Sequence, residues 1–138
     1  MSRAIRIRSW AAALALLGAW AAYTQTKNAP RPAATQKVKD GLFMISGEGG
    51  NVAALVTDEG VLLVDDMYDR NYAAVMGQVK SLSEKPIRYV LNTHQHDDHA
   101  GSNAQMLAAS VEVIAHRNAR INMIALKQPG ALSWYVAP

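Results

Sequence analysis

The chain contains no cysteine. That excludes a disulfide framework, a Cys-type structural zinc site and a lipid-attachment cysteine, so any bound metal must be held by nitrogen and oxygen ligands. Net charge is also small once the first residues are set aside. The 138 residues include 14 Lys and Arg against 11 Asp and Glu, and removing Arg3, Arg6 and Arg8 leaves 14 − 3 = 11 basic residues. A remainder this close to neutral carries no electrostatic footprint for nucleic acid, and no nucleic-acid partner is expected. A long apolar run is missing too. The stretch from Trp10 to Tyr23 holds 14 residues, short of the ~20 that span a bilayer. Nor does the sequence contain an internal repeat or a low-complexity tract.

The N-terminus has a pattern of its own. Arg3, Arg6 and Arg8 form a basic head, Trp10 to Tyr23 an Ala- and Leu-rich apolar middle, and Ala19-Trp20-Ala21 a small-residue exit. This pattern predicts a signal peptide over residues 1–22, with the mature chain starting from about Ala22. An uncleaved anchor is the competing reading. The expected location is periplasmic or secreted, with no stable membrane anchor after cleavage. Residues 23–40, with Pro30, Pro32 and few apolar side chains, read as a flexible linker. The folded domain is expected over 41–138.

Within that domain Leu42–Ile45, Val52–Thr57 and Val61–Val64 are apolar runs separated by turns at Ser46–Asn51 and Asp58–Gly60, the pattern of an antiparallel meander. The period then changes. Tyr72, Val75, Met76, Val79 and Leu82 follow helical spacing, with Asp69 as the expected cap and Pro86 as the stop. Ile87–Asn92 reads as a buried strand, Ser102–Ala109 as a helix, Val111–Ala115 as a strand and Asn118–Leu126 as a helix. Met106, Leu107, Ile121 and Ile124 are expected in the core. A meander followed by alternating helices and strands predicts an α/β (α+β) layer, with helices covering a sheet.

The densest chemical signal is His94-Gln95-His96-Asp97-Asp98-His99, spaced His-x-His-x-Asp-His. Imidazole and carboxylate side chains pack poorly, so such a cluster at the end of a buried strand points to ligand chemistry and not to a core. In an extended segment His94 and His96 project to one side and can reach one ion. Asp98 and His99, past the turn, point at a second position, and Asp97 is left for solvent or for supporting contacts. Such donors suit a borderline divalent metal, zinc first and iron or manganese behind it. Two ions ~3.5–4 Å apart activate water and polarise a substrate oxygen, which is the chemistry of hydrolysis. A solvated, His-rich loop is the bland alternative.

The motif, the strand before it and the Asp-terminated strand upstream resemble the metallo-β-lactamase-fold superfamily. The resemblance covers about Gly41 to Met123, with Gly101, Asn103 and Val113–His116 in support. It implies that His94, His96, Asp98 and His99 are metal ligands to two zinc ions, with Asp98 also placed at the catalytic centre. It implies as well that Asp65 supports the metal loop by hydrogen bonds. The fold it implies is half of a four-layer αβ/βα sandwich. Family members place a further His, a bridging Asp and a last His well downstream, whereas 138 − 99 = 39 residues follow His99 here and His116 is the single later histidine. His116 is read as structural or surface-exposed, and the chain as the N-terminal half of the fold.

Other residues carry less. Asp66 is expected in a turn approaching the helix, Glu48 in a solvated Gly-rich turn near the site, and Gln128–Pro138 in a loop where Trp134 and Tyr135 line a cleft or lie exposed. Three functions follow. The first is an exported zinc-dependent hydrolase acting on a small-molecule ester, thioester, lactone, amide or phosphodiester. The second is a truncated, non-catalytic fragment that self-associates through an open sheet face. The third is an exported metal-binding protein without turnover.

Overall fold

The computed structural model describes residues 32–127 and the backbone of residues 135–136. The leader expected over 1–22, the first part of the expected linker and most of the C-terminal loop, Trp134 included, lie outside the described residues. Among the described residues no helix is long and apolar enough to cross a membrane.

Seven strands form one sheet in sequence order. β1 (Ala34–Lys39), β2 (Leu42–Ser46), β3 (Asn51–Val56) and β4 (Val61–Val64) make the antiparallel meander. β5 (Ile87–Asn92), β6 (Glu112–Ala115) and the two-residue β7 (Tyr135–Val136) follow in parallel. The crossovers carry α1 (Tyr72–Leu82), α2 (Asp97–Ala100), α3 (Asn103–Ala108) and α4 (Arg117–Ala125), and a 3-10 turn at Asp69–Asn71 precedes α1.

The strand register sorts the side chains into two faces. Phe43, Ala54, Leu63, Val90 and Val113 lie in one row across β2 to β6. They pack with Val75 and Val79 of α1, Met106 of α3 and Ala119 and Met123 of α4 in a single core. Each fully buried aliphatic side chain of this kind contributes about 1.5–3 kcal/mol, which is how an eleven-residue helix with Val75 and Val79 four apart stays on the sheet. The alternate rows are as apolar. Leu42, Leu55, Leu62 and Tyr89 form one, and Met44, Ala53, Val64, Leu91 and Ile114 the other. None of them joins the core beneath the helices. The chain therefore forms a sheet with a helix layer on one face, a two-layer half of the expected sandwich.

Three expectations are corrected. The linker stops earlier than residue 40, because Ala34–Lys39 pairs with β2 as an edge strand. Its polar side chains resemble a linker, yet an edge strand needs one backbone partner only and can keep them in solvent; the Thr35 hydroxyl donates to Gln78 Oε1 of α1 at 2.6 Å. Asp69 does not cap α1: it begins the 3-10 turn, and Asn71 occupies the N-cap without a side-chain bond. Ile121 and Ile124 are not core. They are 56% and 37% exposed, since α4 turns Ala119 and Met123 inward and leaves the intervening face outside.

Asp66 also departs from expectation, being fully buried. Its Oδ1 accepts the Ser102 backbone N–H at 3.0 Å. Burial pushes its carboxyl pKa up to about 8, against the downward pull of that hydrogen bond. A carboxyl raised in the fold from 3.8 to about 8 binds its proton more tightly folded than unfolded. Stability must then fall as pH rises through that window and level off above it. Asp66→Asn keeps an acceptor for Ser102 and removes the titration. The melting temperature of the wild type should decline between pH 5 and 8 more steeply than that of Asp66→Asn; parallel profiles would contradict the assignment.

Candidate functional site

β4 and β5 are parallel neighbours, so their C-terminal ends emerge side by side. The ladder runs one bond past β4, where the Asp65 N–H donates to the Leu91 carbonyl at 2.9 Å. Asp65 then takes a left-handed φ of 64°. That conformation costs most residues roughly 1–2 kcal/mol but is tolerated by Asp. It turns the carboxylate across to the segment following β5. There Oδ1 accepts the Thr93 N–H at 2.8 Å, and both oxygens lie within 3.0 Å of the Thr93 hydroxyl. Oδ2 also meets His99 Nδ1 at 2.8 Å. A carboxylate only accepts, so His99 Nδ1 carries a hydrogen and donates it to Asp65.

The chain reverses at His96, which stands at the N-cap of α2 and whose carbonyl accepts from the backbone of His99 and Ala100 at 2.9 and 3.0 Å. This brings His99 back over the strand end. The three rings of the motif cluster: His94 lies 4.2 Å from His99 and 4.8 Å from His96, centroid to centroid. His94 Nε2 contacts His96 Nδ1 at 3.1 Å. Asp98 Oδ2 stands 3.6 Å from His99 Nε2.

The segment after the motif is stitched to the loop after β4. Met67, itself at a positive φ of 62°, accepts from the Gly101 and Ser102 N–H groups, and the Asp66 N–H donates to the His99 carbonyl. A Cβ at Gly101 would run into the Asp97 carbonyl, with Met67 O at 3.0 Å, so no larger residue fits. On the other side the β2–β3 turn leans on the motif: a Cβ at Gly49 would enter the Tyr68 ring and stand 3.0 Å from Asp98 Cβ. Glu48 of that turn makes a two-pronged ion pair with Arg70, which sits 4.0 Å above Tyr68.

The structure thus brings together His94, His96, Asp98, His99 and Asp65. His94 meets His96 through ring nitrogens at 3.1 Å and Asp98 lies 3.6 Å from His99 Nε2, while the His94 ring sits between the other two. Among the described residues no group of three His, Asp or Glu side chains is arranged to hold a metal ion as it stands; the His94–His96 hydrogen bond turns two donor nitrogens on each other. The donor set itself, imidazoles with an adjacent carboxylate and no sulfur, fits a borderline divalent ion. Asp97 is exposed in the first turn of α2. His116 caps α4, its Nδ1 accepting from the Asn118 N–H at 3.2 Å, which gives it a structural task. Sequence reasoning passed over Thr93, whose signal was a hydroxyl adjoining the motif, and Tyr68 and Arg70, which left no signal.

Solved structures share this architecture. The FIM-1 metallo-β-lactamase of Pseudomonas aeruginosa in its mono-zinc form superposes with a TM-score of 0.64 at 21% identity, over 71% of this chain and 48% of that one. A metallo-β-lactamase of Hirschia baltica gives 0.63 at 23% identity, over 72% and 50%. One from Cronobacter sakazakii gives 0.62 at 26% identity, over 67% and 37%. The fold is that of a metallo-β-lactamase, in part. A family model for the metallo-β-lactamase superfamily matches residues 45–130, and the chain belongs to that superfamily. A probable hydroxyacylglutathione hydrolase of Schizosaccharomyces pombe is 31% identical over 83 residues, 56% of this chain and 32% of the relative. The chain spans about a third of that relative's length and about half, or less, of the solved structures'.

Asp65 ties three donor groups to one carboxylate, so truncating it leaves a backbone N–H, a hydroxyl and an imidazole N–H without their acceptor. Asp65→Ala should lower stability by about 1–3 kcal/mol, read from the urea midpoint. Asp65→Asn, which keeps one acceptor and tolerates the left-handed φ, should lose less. Equal stability of Asp65→Ala and wild type would contradict this reading of the loop.

Proposed function

We propose that this chain carries the metal-binding half of an exported, zinc-dependent hydrolase. The observation that carries the reading is the gathering of His94, His96, His99 and Asp98 at the end of β5, with the His99 ring held by Asp65 through Nδ1. These four residues would hold the metal, Asp98 at the catalytic centre and Asp65 behind His99. Zinc is favoured by the imidazole-rich, sulfur-free donors and by the FIM-1 relative's mono-zinc form; iron and manganese accept the same ligands. A bound divalent ion would supply Lewis acidity, polarising a substrate oxygen and easing the deprotonation of water.

The chain's own residues do the positioning. Asp65 fixes the direction of the His99 ring, and the buried anchorage of Asp66 and Met67 keeps α2 against the strand ends. His94 must give up its bond with His96 before both rings can face one ion. The substrate is a small molecule with an ester, thioester, lactone, amide or phosphodiester bond. The name of the S. pombe relative supports hydrolysis of an acyl group. The leader pattern over residues 1–22 supports export to the periplasm or beyond.

A second reading, a non-catalytic fragment or a metal-binding protein without turnover, is favoured by the missing three-donor cage among the described residues. It is also favoured by the apolar rows on the sheet face away from the helices. On that face we propose that a second copy of the chain packs, since apolar side chains fill both rows from β2 to β5 and two such faces are self-complementary.

Native mass spectrometry of the chain from about Ala22, with added zinc, tests both proposals. The wild type is expected to take up zinc specifically and to appear as a dimer. His96→Ala and Asp98→Ala should lose zinc, together with any turnover of a thioester model substrate. Leu62→Lys, which places a charge in the apolar face, should give monomers. Absence of specific zinc would overturn the metalloenzyme reading, and retained turnover in His96→Ala would do so equally. A monomeric wild type would overturn the dimer.

A further inference from the structure

We propose that the outer face of α4 is a docking surface for a bilayer that carries anionic phospholipid. The contact is reversible and lies along the membrane surface; among the described residues no helix is long and apolar enough to cross one.

Charge is not spread evenly along the chain. Outside the leader and the stretch 117–127, 14 − 6 = 8 basic residues stand against 11 acidic ones. The near-neutral sum therefore conceals an acidic body and one basic helix. Arg117, Arg120 and Lys127 fall in that stretch, which contains no Asp or Glu. Glu112 is the one acidic residue beyond Asp98, and among the described residues it makes no ion pair with any of the three. Three cations within eleven residues, with no carboxylate of their own, suit a partner that brings the negative charge.

The same helix presents apolar side chains that the fold does not use. Ala119 and Met123 turn inward to the core. Ile121 is 56% exposed, Ile124 37%, and Leu126 at the C-cap 61%. They are three of the five large hydrophobic side chains exposed among the described residues, gathered within six positions. Helical spacing sets them among the cations. Arg117, Ile121 and Ile124 follow i, i+4, i+7 along one stripe, and Arg120 stands four residues before Ile124. Lys127 comes directly after the C-cap, so basic groups flank the aliphatic tips at both ends.

That is the pattern of a helix lying in an interface. Apolar tips enter the acyl boundary, while long Arg and Lys side chains stay among the headgroups. Other polyanions fit less well. A nucleic-acid backbone would engage the cations and leave the isoleucines in water, and the stretch has no aromatic side chain on which a base could stack. A protein interface of high affinity is anchored by Tyr, Trp and Arg seated in pockets, whereas this face is aliphatic and belongs to the outer surface of a single helix.

Vesicle co-sedimentation of the chain from about Ala22, which keeps the whole described core, tests the docking. Binding is expected to vesicles of phosphatidylcholine and phosphatidylglycerol in equal parts and not to phosphatidylcholine alone, and it should weaken as salt is raised. Arg117→Gln and Lys127→Gln should each weaken it about fivefold. Both side chains are exposed, so the melting temperature should not fall. Contact with the acyl region is read separately. Because the chain has no cysteine, Ile121→Cys carries a single environment-sensitive fluorophore. Leu55→Cys, on the sheet face away from the helices, carries the same label as a control. On adding the mixed vesicles, emission from position 121 should shift to the blue and that from position 55 should stay. A shift at 55 and none at 121 would mean that the open sheet face meets the lipid, and would overturn the proposal. Equal binding to the two kinds of vesicle, or binding unaffected by Arg117→Gln and Lys127→Gln, would overturn it as well. Capture by soluble heparin, with no vesicle-induced shift at 121, would assign the helix to another polyanion and reject the lipid surface.

Discussion

The carboxylate of Asp65 is the contact on which the site region depends. It is nearly buried, it stands where β4 ends, and its acceptors take the Thr93 backbone, the Thr93 hydroxyl and His99. It joins the two parallel strand ends to the helical turn that follows them. A buried carboxylate is costly to desolvate unless its lone pairs are filled. Here several donors surround it, and filling those lone pairs also orients the His99 ring. The same contacts stabilise the loop and aim His99, a proposed ligand, so structure and proposed function are not separable at this residue.

That hub works because the backbone around it is fixed. The sheet places Val64 beside Leu91, and the left-handed turn at Asp65 swings the carboxylate between the strands. A second turn at Met67 offers its carbonyl to Gly101 and Ser102, closing the loop after β4 onto the segment after the motif. Beneath them Asp66 anchors Ser102 from inside the fold. Two adjacent aspartates thus have opposite tasks: Asp65 faces the motif and collects donors, while Asp66 faces the core, where burial favours its neutral form. A parallel sheet with its loops at the C-terminal strand ends is a common way for α/β proteins to present chemistry on rigid elements.

Much of this was legible in the sequence because the signals were periodic or compact. The apolar runs at 42–45, 52–57, 61–64 and 87–92 became strands, the stripe from Tyr72 to Leu82 became α1, and the six-residue motif became the clustered rings. Asp65 was singled out through the family resemblance, which it matches by its place at the end of an apolar strand. What escaped was set by tertiary contacts that leave no periodic trace. β1 is polar and resembles a tether until its hydrogen bonds to β2 are seen. Ile121 and Ile124 are apolar, yet the rotation of α4 about its axis leaves them outside. Asp66 reads as a turn residue because a carboxylate is ordinarily solvated, and only packing around it shows otherwise. Thr93 went unnoticed because a threonine beside three histidines has no distinctive spacing; its meaning lies in its contacts with Asp65.

The central claim is that the imidazoles gathered beside Asp65 hold a divalent ion. The zinc K-edge X-ray absorption spectrum of the zinc-loaded chain addresses it most directly. The account predicts nitrogen and oxygen scatterers at about 2.0–2.1 Å, with outer-shell scattering from at least two imidazole rings. A spectrum with oxygen scatterers alone, lacking any imidazole signature, would contradict it.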